Sequence, residues 1–474
     1  MRPIRTLIVG IIFAAGVLPG PAFAHTTERA FVLVLPTELY LTGGTLVVAL
    51  SFVLMVLMPA ADPRALEAMT WRVGRLPAGL SNALSLVSLA VLAALILAGW
   101  FGTQDPLANP LPLAVWTLGW IGLTFAHAVL GNLWAALNPW RGVCGLLFRL
   151  PGLARWRGRP PLAYPEWLGY WPAVLQFLAF AWFELIYTVP QNPEFLAQAV
   201  ALYVALNLAL ALLFGPAVWL RFGEAFSVLF RFLSWLSPFG GRPAQEDEIF
   251  ATLPGLGLLR APALPPSGVA FVLLALASVS FDGLARSYWW LGGIGVNPLD
   301  FPGRSALAAV NTLGLLGGFA ALIAGYGAAV WLGWRLTGRP GRFSAACGAY
   351  AISILPIALG YHFAHYLTVF LVDVQYAAIA FNDPLGRGWD LFGLHGAHAT
   401  TSFLYDFDSV RKIWHVQVAT IVIAHVVAIA TAHGIALSRS DTRGTAILGQ
   451  IPLTLLMIAY TLFGLWLLST PAIG

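Results

Sequence analysis

Residues 345–374 read AACGAYAISILPIALGYHFAHYLTVFLVDV. This stretch holds no Arg, Lys or Glu and a single Asp, and it is long enough to cross the roughly 30 Å apolar core of a bilayer as a helix. Other long apolar runs occur at intervals on both sides of it. Hydrophobic residues make up 59% of the 474, and charged residues only 9%, against about 25% in soluble domains. So few charges cannot cover a water-exposed surface, so lipid has to be the solvent. A backbone in lipid must satisfy its own hydrogen bonds within the segment or within a closed barrel. Barrel strands need only about ten alternating residues, and these runs are longer and continuous. The expected fold is therefore all-α: a polytopic transmembrane helical bundle of about ten spans. The spans fall near 37–59, 80–101, 112–137, 167–186, 194–218, 268–290, 305–334, 345–374, 412–436 and 447–468.

Residues 1–24 read as a cleavable signal peptide. Arg2 and Arg5 precede a short apolar run, Ile4 to Val17, followed by the small-residue pattern Ala22-Phe23-Ala24. Cleavage after Ala24 makes His25 the mature N-terminus and leaves 25–474 as one transmembrane domain. With His25 outside, seventeen arginines fall in inner loops, whereas outer segments hold Arg29, Arg304, Arg387, Arg411 and Lys412. That asymmetry predicts a multi-pass protein of the bacterial inner membrane with both mature termini in the periplasm. Arginines in short loops between apolar runs do not suggest nucleic-acid binding; the first partner is the bilayer. Two lone cysteines, Cys144 and Cys347, argue against a disulfide framework and against a thiolate metal site.

Two segments outside the spans stand out. Phe222 to Leu236 carries Phe222, Phe226, Leu229, Phe230 and Leu233 at helical spacing, which predicts an interfacial helix lying on the membrane surface. The outer segment 375–411 is long and rich in aromatics and glycines, and is a candidate cap. No internal repeat is evident, so an inverted-repeat transporter gains no support.

Ionisable groups inside a bilayer are costly and tend to face a bundle interior or a wet cavity. Here Glu184, Asp282, Arg286, Asn311, His362, His365, Asp373 and His415 all fall toward the outer ends of their spans, which predicts a cavity open on that side. His127, His425 and His433 lie deeper. Asp282 and Arg286 are four apart and can pair along a helix face, most simply as a structural ion pair. His362 and His365 are three apart, with Tyr366 and Asp373 on the same stripe. Pro356 precedes them and can kink the helix. Paired imidazoles near a carboxylate suit a divalent metal such as zinc or copper. His415, His425 and the terminal His25 are further candidate ligands, as are His395 and His398; a packed, hydrogen-bonded histidine is the plain alternative for each. A haem held by His362 and His425 is disfavoured by their unequal depths.

The stretches GNLWAALNPWRG (131–142), FAWFELIY (180–187), GEAFSVLFRF (223–232), VAFVLLALASVSFDGL (269–284), YHFAHY (361–366), GRGWDLFG (386–393) and IVIAHVVAIATAH (421–433) resemble, in this order, the bacterial membrane proteins called fenitrothion hydrolases. The resemblance implies an integral inner-membrane hydrolase of organophosphorus triesters. It places His362, His365, Arg387, Trp389, Asp390, His425 and His433 on motif positions and does not extend to His395 and His398. On that footing a metal-activated water would attack an apolar phosphotriester at the periplasmic face. Asp373 or Asp390 would serve as general base, and Arg387 would stabilise developing charge. The same buried polar groups also suit a transporter for a metal ion or small solute, or a non-catalytic subunit that works with a partner in a membrane metal or redox complex.

Overall fold

The computed structural model describes residues 35–57, 69–75, 77–242, 245–297, 303–338 and 341–470. The expected signal peptide, 1–24, and His25 lie outside these. Among the described residues nine helices are long and apolar enough to cross a membrane, so the chain is an integral membrane protein. The helices that matter below are α1 (Thr37–Leu57), α2 (Ala78–Phe101), α3 (Pro110–Leu130), α4 (Trp171–Leu185), α5 (Pro193–Phe214), α6 (Ala225–Leu233), α7 (Pro266–Ala285), α8 (Arg304–Leu336), α9 (Leu355–Asn382), α10 (Phe407–Ser438) and α11 (Arg443–Ser469).

The span expected at 167–186 is the short one. Gly169 turns the chain with φ 44°, and its α-carbon sits so close to Ser267 that a Cβ there would meet the hydroxyl at 2.5 Å. The helix therefore starts only at Trp171 and runs for 15 residues, about 22 Å at 1.5 Å per residue. It still travels the depth of the bundle beside α7. Tyr170 N donates to Ser267 Oγ at one end of α7, and Glu184 and Asp282 share the hydroxyl of Tyr366 near the other. The third span also ends early, at Leu130. Gly131 adopts φ 89° with the Phe239 carbonyl against it, where a Cβ would come within 2.1 Å.

The amphipathic segment expected on the membrane surface is instead buried. In α6, Ala225, Ser227, Val228, Leu229, Phe230, Phe232 and Leu233 are all enclosed. Phe232 packs on Tyr170 and Phe271, Phe226 on Phe180, and Phe230 stacks on His127 at 4.1 Å. Glu224 makes this burial tolerable. Its carboxylate caps the helix by accepting from Phe226 N and Ser227 N, and it also takes the Tyr203 hydroxyl and the Trp134 indole.

The eighth span covers Phe343–Asn382 in two pieces. A 3₁₀ turn at Ala351–Ile354 joins the first piece to α9. Pro356 sits in the first turn of α9, where its missing N–H costs nothing, so the irregularity falls just before the proline. The helix runs to Asn382, which shortens the connecting loop of 375–411 to 383–406. One departure from an all-helical chain is a three-stranded antiparallel sheet at the arginine-rich end, formed by β1 (Trp71–Arg75), β2 (Phe239–Arg242) and β3 (Gln245–Ala251) in the order β1-β3-β2. Arg72 pairs with Glu248 across it at 3.0 Å.

Lipid offers helices little hydrophobic reason to associate, so close backbone packing has to contribute. Gly333 of α8 meets Gly449 of α11 so tightly that a Cβ on Gly333 would lie 1.9 Å from the Gly449 carbonyl oxygen. Backbone cannot swing aside as a side chain can. Gly333→Leu is expected to separate the two helices and destabilise the bundle by about 3 kcal/mol, read as a lower thermal midpoint in detergent. An unchanged midpoint would show that this crossing does not hold the bundle together.

Candidate functional site

At the end of the bundle opposite the arginine-rich loops lies a cavity of about 560 Å³. Its walls come from one half of each contributing helix: Trp116 to Ile121 of α3, Val279 to Arg286 at the end of α7, Tyr361 to Asp373 of α9, Trp414 to Ile421 of α10, and Gly464 to Thr470 at the end of α11. Loop residues Asp105, Pro190 and Gln191 complete its lining. Within α3, residues Leu113–Leu123 wind as a π-helix, a rare geometry that recurs at functional sites. It is anchored by Asn109, which accepts from Leu111 N and donates to the Ala98 and Thr103 carbonyls.

The centre of the cluster is Asp282, 3% exposed. Arg286, one turn on, reaches Asp282 Oδ1 at 3.0 Å, so the expected i,i+4 pair forms. His365 Nε2 reaches Oδ2 at 2.6 Å, and Tyr366 Oη lies 3.0 Å from the same oxygen. Three donors from two helices thus converge on one buried carboxylate. The arginine supplies the countercharge that a carboxylate at this depth requires. An ionised carboxylate only accepts, so His365 Nε2 is the donor of this contact. Nδ1 lies on the Gly283 side of the ring, where a Cβ built on Gly283 would stand 3.9 Å away, in ordinary contact. Both residues line the cavity. Arg304, at the start of α8, also lines it; its Nη1 donates to the Glu184 and Tyr187 carbonyls at 2.8 and 3.1 Å.

The other residues singled out by sequence are spread more widely. Asp373 lines the same cavity, but eight residues from His365 place it about 12 Å further along the helix. His362 is buried against Trp120, with ring centroids 4.5 Å apart, and its Nε2 has no hydrogen-bond partner. His425 Nδ1 faces the Ile421 carbonyl at 2.8 Å, and its Nε2 is likewise unpartnered. His433 pairs with Gln450. His415 is exposed and bonds Tyr40 Oη at 2.7 Å. Arg387 and Asp390 sit on the loop 383–406, none of whose residues lines the cavity. Asp390 organises that loop: Asn382 Nδ2 and then the His395 N–H hold its carboxyl below the usual carboxylate range. Among the described residues no three His, Cys, Asp or Glu side chains are placed to hold a metal ion together.

Asp282 and Arg286 were readable as a pair but not as a site, and Glu184, Arg304 and Trp120 were not assigned roles. The signal for Asp282 is its position as the one acidic residue in the run 266–285. Nothing local in the sequence announces that its imidazole partner lies 83 residues away. No family model, curated protein or solved structure matches this chain.

Proposed function

We propose that the protein is a membrane-embedded hydrolase of apolar, phosphotriester-like esters, acting at the periplasmic side of the bacterial inner membrane. The observation that carries this reading is the His365–Asp282 dyad in the wall of a cavity that also presents two arginines. The resemblance to fenitrothion hydrolases supports the substrate class. The arginine-poor loops around the cavity support a periplasmic opening with both mature termini on that side.

In this reading an apolar ester partitions into the bilayer and enters the cavity, whose walls are largely apolar at Val279, Ile421 and Leu467. A water lodged by His365 attacks phosphorus. As the new P–O bond forms, Nδ1 takes the water proton, and Asp282 orients the ring and stabilises the imidazolium. The bond to the leaving group breaks, and that group departs with the electron pair. Negative charge building on the phosphoryl oxygen falls within a cavity bordered by Arg286, whose side chain is 42% exposed, and Arg304. The base is a side chain, so the step needs no metal-bound water.

His365→Ala is expected to lower kcat/KM for a dialkyl aryl phosphate by about 10²- to 10⁴-fold, measured on purified protein in lipid nanodiscs. Asp282→Asn is expected to lose a comparable amount, because the ring then lacks its anionic anchor. Full activity in the folded His365→Ala variant would overturn the assignment. Solute uptake into vesicles without ester turnover would replace the hydrolase by a transporter.

A further inference from the structure

The hydrogen bonds around Tyr366 pose a counting problem. Its single hydroxyl proton faces two carboxyl oxygens, Glu184 Oε1 at 2.9 Å and Asp282 Oδ2 at 3.0 Å. If both carboxyls were ionised, one of these contacts would bring two lone pairs together with no proton between them. One carboxyl must therefore carry a proton of its own. Asp282 is held by Arg286 and His365. The Glu184 carboxyl has no such ion pair, and Arg304 spends Nη1 on the Glu184 backbone carbonyl instead. An uncompensated carboxylate at this depth is the costlier choice.

We infer that Glu184 is held as a neutral carboxylic acid, donating to Tyr366 while Tyr366 donates to Asp282, and that it is the general acid of the cavity. This rests on the hydrolase reading above. Glu184 and His365 line the same cavity, so one supplies a proton where the other removes one. Such acid and base pairs in contrasting environments are a recurrent catalytic arrangement.

The proton balance closes within the cluster. His365 Nδ1 takes a proton from the attacking water. Glu184 turns its acid proton from Tyr366 toward the leaving oxygen and gives it up as the bond to phosphorus breaks. The cluster then holds an imidazolium and a Glu184 carboxylate. The Tyr366 hydroxyl turns to Glu184 and passes its proton across 2.9 Å. Tyr366 is refilled from Asp282 Oδ2 at 3.0 Å, and that oxygen from His365 Nε2 at 2.6 Å. The ring then holds its remaining proton on Nδ1, and a ring proton exchange through cavity water returns it to Nε2. The net result is transfer of one proton from water to leaving group. Tyr366 and Asp282 are the relay, and all three proton transfers use atoms already in hydrogen-bond contact.

The leaving group discriminates this scheme from a structural role. An alkoxide needs a proton to depart, whereas a para-nitrophenolate needs it far less. For Glu184→Gln in nanodiscs, hydrolysis of a trialkyl phosphate is expected to fall about 10²-fold, with a markedly smaller fall for a dialkyl para-nitrophenyl phosphate. The infrared C=O band of a protonated carboxylic acid is expected in the unaltered protein and absent from Glu184→Gln. If that variant fails to fold, Tyr366→Phe supplies the same readings: the selective loss on the alkyl ester, and a carboxyl band moved to higher frequency by loss of its acceptor. Equal losses on both esters, or a band unchanged in both variants, would overturn the assignment of Glu184. Absence of turnover in the unaltered protein would instead defeat the hydrolase reading, leaving the infrared band to judge the protonation of Glu184 by itself.

Discussion

A carboxylate near the end of an otherwise apolar helix cannot be left alone in a membrane. Asp282 meets that constraint by drawing Arg286, His365 and Tyr366 onto its two oxygens. The arginine comes from its own helix and costs no tertiary arrangement. The histidine and tyrosine come from α9 and can reach Asp282 only if α7 and α9 pack at one rotation and one depth. The ion cluster thus fixes the register of two helices that are largely enclosed by the rest of the bundle. Replacing such a cluster by apolar residues is often no loss in stability, whereas removing one member strands the others.

The sequence made the bundle legible because long apolar runs announce helices without ambiguity about the solvent. It was misleading where tertiary packing decides. The run at 167–186 is apolar throughout much of its length, but contact between Gly169 and Ser267 delays the helix to Trp171. An amphipathic helix at 222–236 has the same pattern whether lipid headgroups or protein cover it. What buries α6 is the aromatic surface of Tyr170, Phe180 and Phe271, residues distant in the chain. The small sheet escaped notice because its strands are short and come from two loops far apart in sequence.

The site was half visible. Helical periodicity puts His362, His365, Tyr366 and Asp373 on one stripe of α9; the last three line the cavity and His362 does not. The spacing of His362 and His365 suggested two ligands for one metal. The structure gives the two rings different surroundings: His365 reaches across to α7, while His362 packs edge-on against Trp120. Residues three apart share a face only to within about 60°, and that offset sends one ring to Asp282 and the other into the aromatic layer beneath the cavity. Pairings across 83 and 182 positions have no local signature, so Asp282 and Glu184 gained their meaning only from the fold.

The protonation pattern at Asp282 is seen most directly in the tautomer of His365. Solid-state ¹⁵N NMR of histidine-labelled protein in lipid, with the signal assigned by its loss in His365→Ala, reads both ring nitrogens separately. The account predicts a neutral ring with the proton on Nε2, hydrogen-bonded to Asp282, and an unprotonated Nδ1. A proton on Nδ1 with Nε2 bare would contradict it, because Asp282 would then face a lone pair and the cavity would have no base.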